Sequence, residues 1–483
     1  MTPIMQAPVI VWRALGPVLA LAGGAIFTLL LGAIKPRIRR EILAGFSLAA
    51  VGGASYLAFE LAHHRIVGLQ GMVAIDGVGL FATMILLVTT ALVIVGSFDY
   101  LTQRRIHRFE FYPLLLLATA GMVLLATAND LIMVFVAIEV LSLALYVMAG
   151  LARRDYGAQE ASMKYFLLGA FSSAILLYGL ALAFGATGTT NIARIAAQAT
   201  TADGRLIFAA AALLAVGFAF KIGAVPFHMW TPDVYQGAPT AVTGFMAAGT
   251  KAAAFAALLR VFLVSFGALQ WDWRPVFWVI AVATMALGSL VAIVQSDVKR
   301  MLAYSSIAHA GFVLVGLVAA SGQGVAGSLF YLLVYAVTTV GAFAAVMASA
   351  PAGRERLALS DWSGLGQRHP VFAGAMTLFL LSLAGIPPTA GFMGKFFVFQ
   401  AAVQAGQSGI VVAGVLASVI ASFFYLRLIV LMWLQPPVED ADELGASVPV
   451  SIVLGLTAAA TLAFGVYPQV MMDLAKAAAI FTG

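Results

Sequence analysis

Cysteine is absent from the 483 residues. That removes disulfides, thiolate metal sites and cysteine-held iron–sulfur clusters, so any electron chemistry must take place in other chains. Charge is scarce too: Asp, Glu, Lys and Arg make up 10% of the chain, against about 25% in a typical soluble domain. No spacing of histidines and acids resembles a metal site, and no glycine-rich phosphate loop follows a strand, so neither a resident metal nor a nucleotide is expected. The net charge of +6 is spread over residues between apolar runs and forms no nucleic-acid surface.

What is abundant is hydrocarbon. Hydrophobic residues account for 63% of the chain, and the pattern reads as an all-α polytopic membrane protein with about fourteen transmembrane spans, each near the twenty residues that cross about 30 Å of lipid. Their approximate limits are 9–33, 43–61, 72–97, 111–128, 131–151, 164–187 and 206–227, then 239–267, 275–295, 300–320, 325–349, 371–403, 408–434 and 446–470. The first apolar stretch is too long for the core of a signal peptide. Basic residues cluster in the loops after odd-numbered spans: Lys35, Arg37, Arg39 and Arg40; Arg104, Arg105 and Arg108; Arg153 and Arg154; Lys299 and Arg300; Arg354, Arg356 and Arg368. The opposite side holds only Arg13, Arg65, Arg194, Arg205, Arg274 and Lys476. The positive-inside rule therefore predicts cytoplasmic odd loops, with both termini on the other side of a bacterial plasma membrane. The acidic loop with Glu439, Asp440, Asp442 and Glu443 also falls on the cytoplasmic side, where acids weigh little.

The chain echoes itself. Ser162, Tyr165, Leu167 and Ala170 recur about 166 residues later as Ser328, Tyr331, Leu333 and Ala336. Helix breakers recur at a similar interval, GAVP at 223–226 and AGIPP at 384–388, each followed by more apolar sequence. Proline removes an amide donor and opens the helical ladder, which the membrane tolerates only where protein or water satisfies the freed groups. Paired broken spans mark an ion path in transport proteins. The expected organisation is three N-terminal helices (1–110), a first five-helix repeat of spans four to eight (111–270), an inverted second repeat of spans nine to thirteen (271–434), and a C-terminal loop and helix (435–483).

Inside these spans lie Glu139, Lys221, Lys251 and Lys395. Each ionisable group in a bilayer costs roughly 2.5–3.5 kcal/mol on insertion scales, so a row of them needs a reason. None of the other acids lies as deep in a span as Glu139. Lys221 immediately precedes the first break, Lys251 sits mid-span among alanines, and Lys395 follows the second break. A desolvated lysine releases its proton more readily, and a nearby carboxylate opposes that release, which is the makings of a switch. Lys164, at the start of the sixth span, would partner Glu139 if it faced it. His228, after the first break, and His309, in AYSSIAHAGF, could relay protons. Arg260 and Arg427 lie nearer span ends and read as structural. On residues alone, three readings stay open: a proton-moving subunit of a redox complex, a subunit of a sodium/proton antiporter, and a solute carrier. The carrier lacks a polar substrate cluster, and the lysines' insertion cost disfavours a fourth reading, a mere scaffold.

The segments KIGAVPFHMWTPDVYQGAPT (221–240), VKRMLAYSSIAHAGF (298–312) and LAGIPPTAGFMGKFFVF (383–399) make the chain resemble, over nearly its whole length, the antiporter-like membrane subunits of respiratory NADH:quinone oxidoreductase (complex I) and of multisubunit cation/proton antiporters. A lysine rather than a glutamate at 395, and no long lateral helix after the last span, point to one branch of that family. The resemblance implies that Glu139 and Lys164 form the polar pair of a first half-channel and that Lys221 is the central proton carrier. Lys251 and His228 would bridge towards Lys395, with His309 at a matching histidine position. It also implies that this chain holds no cofactor: NADH, FMN, iron–sulfur clusters and quinone belong in or near partner membrane and redox subunits of the same complex.

Overall fold

The computed structural model describes residues 11–35, 38–62, 64–106, 108–349, 355–437 and 444–482. Arg37, Arg354 and the acidic residues Glu439, Asp440, Asp442 and Glu443 lie outside the described residues. The chain runs through α1 (Trp12–Ile34), α2 (Arg40–Glu60), a hairpin of β1 (Ile66–Gly68) and β2 (Val73–Ile75), α3 (Gly77–Gln103), α4 (Phe111–Ala126) and α5 (Leu131–Ala149). It continues with α6 (Tyr156–Thr187), the short α7 (Ile192–Gln198), α8 (Gly204–Ile222) and α9 (Trp230–Gly237). The next span, Thr240–Ser265, joins α10 (Thr240–Phe245) and α11 (Lys251–Arg260) through a π-helical turn at Met246–Thr250 and ends in a second at Val261–Ser265. After it come α12 (Gln270–Ile293), α13 (Val298–Ala319), α14 (Gly322–Ser349), the four-residue α15 (Leu365–Arg368), α16 (Pro370–Ala384), α17 (Ala390–Gln404), α18 (Ser408–Leu434), α19 (Val448–Val466) and α20 (Gln469–Ala478).

Among the described residues, 12 helices are long and apolar enough to cross a membrane. The shorter apolar α4 and α16 fill the two remaining positions of the fourteen expected spans. Helices suit this composition because lipid offers no partner for a free backbone amide. Several begin where an aspartate side chain accepts a first-turn amide: Asp76 from Gly79, Asp130 from Ile132, Asp155 from Gly157 and Asp297 from Arg300. Asp130 thereby separates α4 from α5, which the sequence nearly fuses. The core runs along α13 and α14, whose apolar windows are each 94% buried, while α1, α2, α18 and α19 turn large apolar side chains outward.

Local arrangements recur at near-constant spacing. A Cβ on Gly121 of α4 would stand 2.7 Å from the Leu141 amide of α5, and one on Gly288 of α12 would stand 2.6 Å from the Ala308 amide of α13. These glycines let backbones meet as small residues do in membrane bundles. The Leu131 amide donates to Thr190 and Ile192 to Asn129; likewise Val298 donates to Leu357 and Leu359 to Ser296.

Both breaks are built alike. At the end of α8, Gly223 takes φ 73° and the Ala224 amide reaches back to the Ala219 carbonyl. At the end of α16, Gly385 takes φ 86° and Ile386 reaches back to Leu381. This is the left-handed cap that glycine adopts without a Cβ penalty. A cis proline follows each, Pro226 and Pro388, and the chain resumes as α9 and α17.

Candidate functional site

Lys221 lies in the last turn of α8 and is 4% exposed. Its Nζ donates to the Ser142 hydroxyl of α5 at 2.6 Å and stands 5.6 Å from the centroid of the Tyr165 ring. Ser142 in turn donates to the Ile138 carbonyl. Tyr165 stacks on Trp230 at 4.7 Å, and the Trp230 indole donates to the Phe220 carbonyl at 2.9 Å, so the start of α9 is folded back against the end of α8. Glu139 lies one turn before Ser142, half-buried, and its Oε1 has no hydrogen-bond partner among the described residues. A void of about 10 Å³ beside Lys221, lined by Tyr146, Ser172, Ser173 and Gly217, has room for about one water.

The other buried bases gather along one face of α13. Ser306, His309 and Phe312 follow at three-residue spacing, so each is the next one's neighbour on the helix surface. Lys251, just past the first π turn, donates to the Ser306 carbonyl and lies 5.7 Å from the Tyr335 ring centroid. His309 Nδ1 is 2.8 Å from the Tyr331 hydroxyl, and its Nε2 is 3.3 Å from that of Tyr425, which also meets Ser305. Lys395 of α17 donates to the carbonyls of Leu383 (3.2 Å) and Ala384 (2.8 Å) at the end of α16, with Nζ 4.5 Å from the Phe312 ring centroid. A helix C-terminus carries partial negative charge and suits an ammonium. A cavity of about 600 Å³ reaches Lys395 past Gln400, Gln404, Ser418 and Ser422.

Two sequence expectations are placed differently. Lys164 is not paired with Glu139; its Nζ contacts Asp233 and Glu160, both at 2.7 Å, because its side chain turns to the face of the basic loops. His228 lies in the first break with Nδ1 buried and unpartnered, and no hydrogen bond joins it to Lys221 or Lys251 among the described residues.

The structure adds groups that the sequence did not single out. Asp233 of α9 splits its carboxylate between Lys164 and Arg300, the latter at 2.7 Å. Glu355 accepts from Tyr100 (2.5 Å) and Thr240 (2.7 Å) and lies 3.6 Å from Lys299 and 3.9 Å from Arg104. Burial pushes its carboxyl up, but Lys299, Arg104 and the two hydroxyl donors outweigh burial and hold it below the usual carboxylate range. Arg260 and Asp76 form a fully buried two-bond pair at 2.5 and 2.8 Å. Asp76 and Glu355 are thus more enclosed than Glu139, although both precede or follow a span. Only Arg260 gave a signal, since an arginine within an apolar span requires a carboxylate nearby. A cavity of about 350 Å³ on the basic-loop face meets Lys164, Asp233, Lys299 and Glu355.

A many-span helical bundle with lysines buried between hydroxyls, an imidazole and carbonyls, and with two broken helices, is the build of a polytopic membrane protein with an ionisable interior. Residues 128–421 match the family described as NADH:quinone oxidoreductase/Mrp antiporter, TM, and the chain belongs to that family. It is 45% identical over 501 residues to a protein named NADH-quinone oxidoreductase subunit N from Parafrankia sp., covering 98% of this chain and 95% of that one. A protein of the same name from Trichlorobacter lovleyi is 43% identical, with 95% of each covered. A chain of respiratory complex I from Thermus thermophilus superposes with a TM-score of 0.81 at 34% identity, covering 95% of this chain and 98% of that one. A chain of the Mrp complex from Dietzia sp. shares the fold, with a TM-score of 0.86 at 24% identity and 97% of each covered.

Proposed function

We propose that this chain is subunit N of a bacterial respiratory NADH:quinone oxidoreductase, moving protons across the plasma membrane without redox chemistry of its own. The relatives' shared name and near-full-length match support the complex. The observation that carries the proton role is Lys221: an enclosed lysine at a helix break, bonded to a hydroxyl one turn from Glu139. A hydroxyl both donates and accepts, so it can pass a proton that a carbonyl cannot. In this reading the path comprises Glu139, Lys164, Lys221, His228, Lys251, His309 and Lys395. Energy from quinone reduction in neighbouring subunits arrives as shifts of charge along it.

The basic loops face the cytoplasm and both termini the periplasm, so protons travel from the basic-loop face outward. The division into two inverted repeats, 111–270 and 271–434, is supported by the paired glycine contacts, the paired backbone bridges and the like-built breaks. NADH, FMN, iron–sulfur clusters and quinone are assigned to partner subunits.

The test is Lys221→Ala at the native locus, with NADH:quinone turnover and NADH-driven acidification measured together in inverted vesicles. Both fall while the complex stays assembled if Lys221 carries the proton; wild-type values for both refute the reading. Sodium dependence of the acidification would instead favour antiporter chemistry.

A further inference from the structure

Two carboxylates hold Lys164, and a third stands deeper on the helix packed beside it. Asp233 and Glu160 hold it at the basic-loop face, while Glu139 lies deeper with an unpartnered oxygen. The Ser162 hydroxyl donates to the Tyr146 carbonyl at 2.7 Å, which fixes the register of the antiparallel α5 and α6. From that contact Glu139 lies roughly 7.5 Å deeper than Lys164, five residues at about 1.5 Å each. Meeting across that gap requires the Lys164 side chain to turn away from the α6 N-terminus, towards which it leans here.

Asp233 differs from Glu160 in what stands behind it. The Glu160 side chain is 65% exposed, so its pairing with Lys164 is weak. Asp233 sits on α9, which is tied at one end to α13 by Arg300 to Gln236 (3.0 Å), Gln236 to Asp297 (3.1 Å) and Lys299 to the Ala238 carbonyl (2.7 Å). At its other end Trp230 stacks under Tyr165, the ring beside Lys221. A movement at the start of α13 therefore reaches Lys164 through the second oxygen of Asp233. The cavity beside these groups lets water cover the carboxylate when the ammonium leaves.

We propose that Asp233 is a positioning residue that competes with Glu139 for the Lys164 ammonium, holding it outward in the arrangement seen here and yielding it inward during turnover. This rests on the proton-carrier reading of the same path. Lys164 serves that path through its charge: what changes is which carboxylate it neutralises, and hence the charge that Lys221 faces.

The experiment uses the intact complex carrying Asp233→Asn, Asp233→Glu, Glu160→Gln or Lys221→Ala. Turnover and proton uptake are measured together, and the position of Lys164 is read from the structure of the asparagine variant. Asp233→Asn is expected to lower both rates at least about tenfold, with Lys164 Nζ moved onto Glu139. Asp233→Glu restores most of the rate and Glu160→Gln leaves it unchanged. Wild-type rates in Asp233→Asn, or Lys164 still turned outward in its structure, overturn the proposal. Should the asparagine variant not assemble, Arg300→Gln decides: with the whole Asp233 charge on Lys164, turnover falls, and a wild-type rate is the contrary result. If Lys221→Ala loses pumping while Asp233→Asn does not, only the Asp233 inference fails; if neither loses it, the proton-carrier reading fails.

Discussion

Glu355→Gln removes one negative charge from an enclosed cluster without changing its size. The Glu355 and Lys299 side chains are 5% and 2% exposed, so little water screens the pair. At 3.6 Å and an effective dielectric of about 20 their attraction is roughly 4.6 kcal/mol before desolvation is counted. Breaking a buried pair by neutralising one partner typically costs about 3–5 kcal/mol, because the other charge stays behind. Tyr100 and Thr240 still find an acceptor in glutamine, so the loss falls on Lys299 and Arg104. The sign with pH follows from a carboxyl held below its ordinary value. Its contribution is whole at neutral pH and declines as the medium falls below about 4.3 and on through the folded value. Thermal unfolding of the solubilised complex, followed at a series of pH values, is the assay. Glu355→Gln should melt well below wild type at pH 7, and the gap should close in acid. Equal melting temperatures at pH 7, or a gap indifferent to acid, would refute the argument.

Asp76→Asn should lose roughly 3–5 kcal/mol by stranding Arg260, whereas Asp76→Leu combined with Arg260→Met should recover much of it; assembly yield and melting temperature of the two variants decide. Gly391→Ala places a Cβ 1.8 Å from the Ser382 carbonyl, forcing apart the two halves of the second broken helix, while nothing lies within 4 Å of a Cβ on Gly374. Loss of at least about 1–3 kcal/mol is expected for the first, and full assembly for Gly374→Ala.

The spans were legible because an apolar run near twenty residues has few other uses, and both breaks announced themselves as glycine and proline. The hairpin Ile66–Ile75 and helix Ile192–Gln198 lie in stretches too short to show a period, and π turns beside Lys251 leave no compositional mark. The depth of Lys221, Lys251 and Lys395 was readable from their apolar flanks, but not their partners. Lys164 meets Asp233 across 69 positions and Tyr100 meets Glu355 across 255, distances at which a single sequence carries no pairing information. Lys299 counted as a loop cation, yet it is 1% exposed, because it lies in the first turn of α13 with its ammonium on the Ala238 carbonyl.

The three membrane lysines differ in what they lean on. Lys251 and Lys395 rest on backbone carbonyls, which have lone pairs but no hydrogen to give. Such a partner is a terminus: it can steady an ammonium, but a proton that departs must leave by another route. Lys221 rests on a hydroxyl whose hydrogen can rotate away from Ile138, making its partner a pivot. On the proposed path, transfer at the two carbonyl-bound lysines depends on mobile solvent, while Lys221 has a swivel built from protein alone.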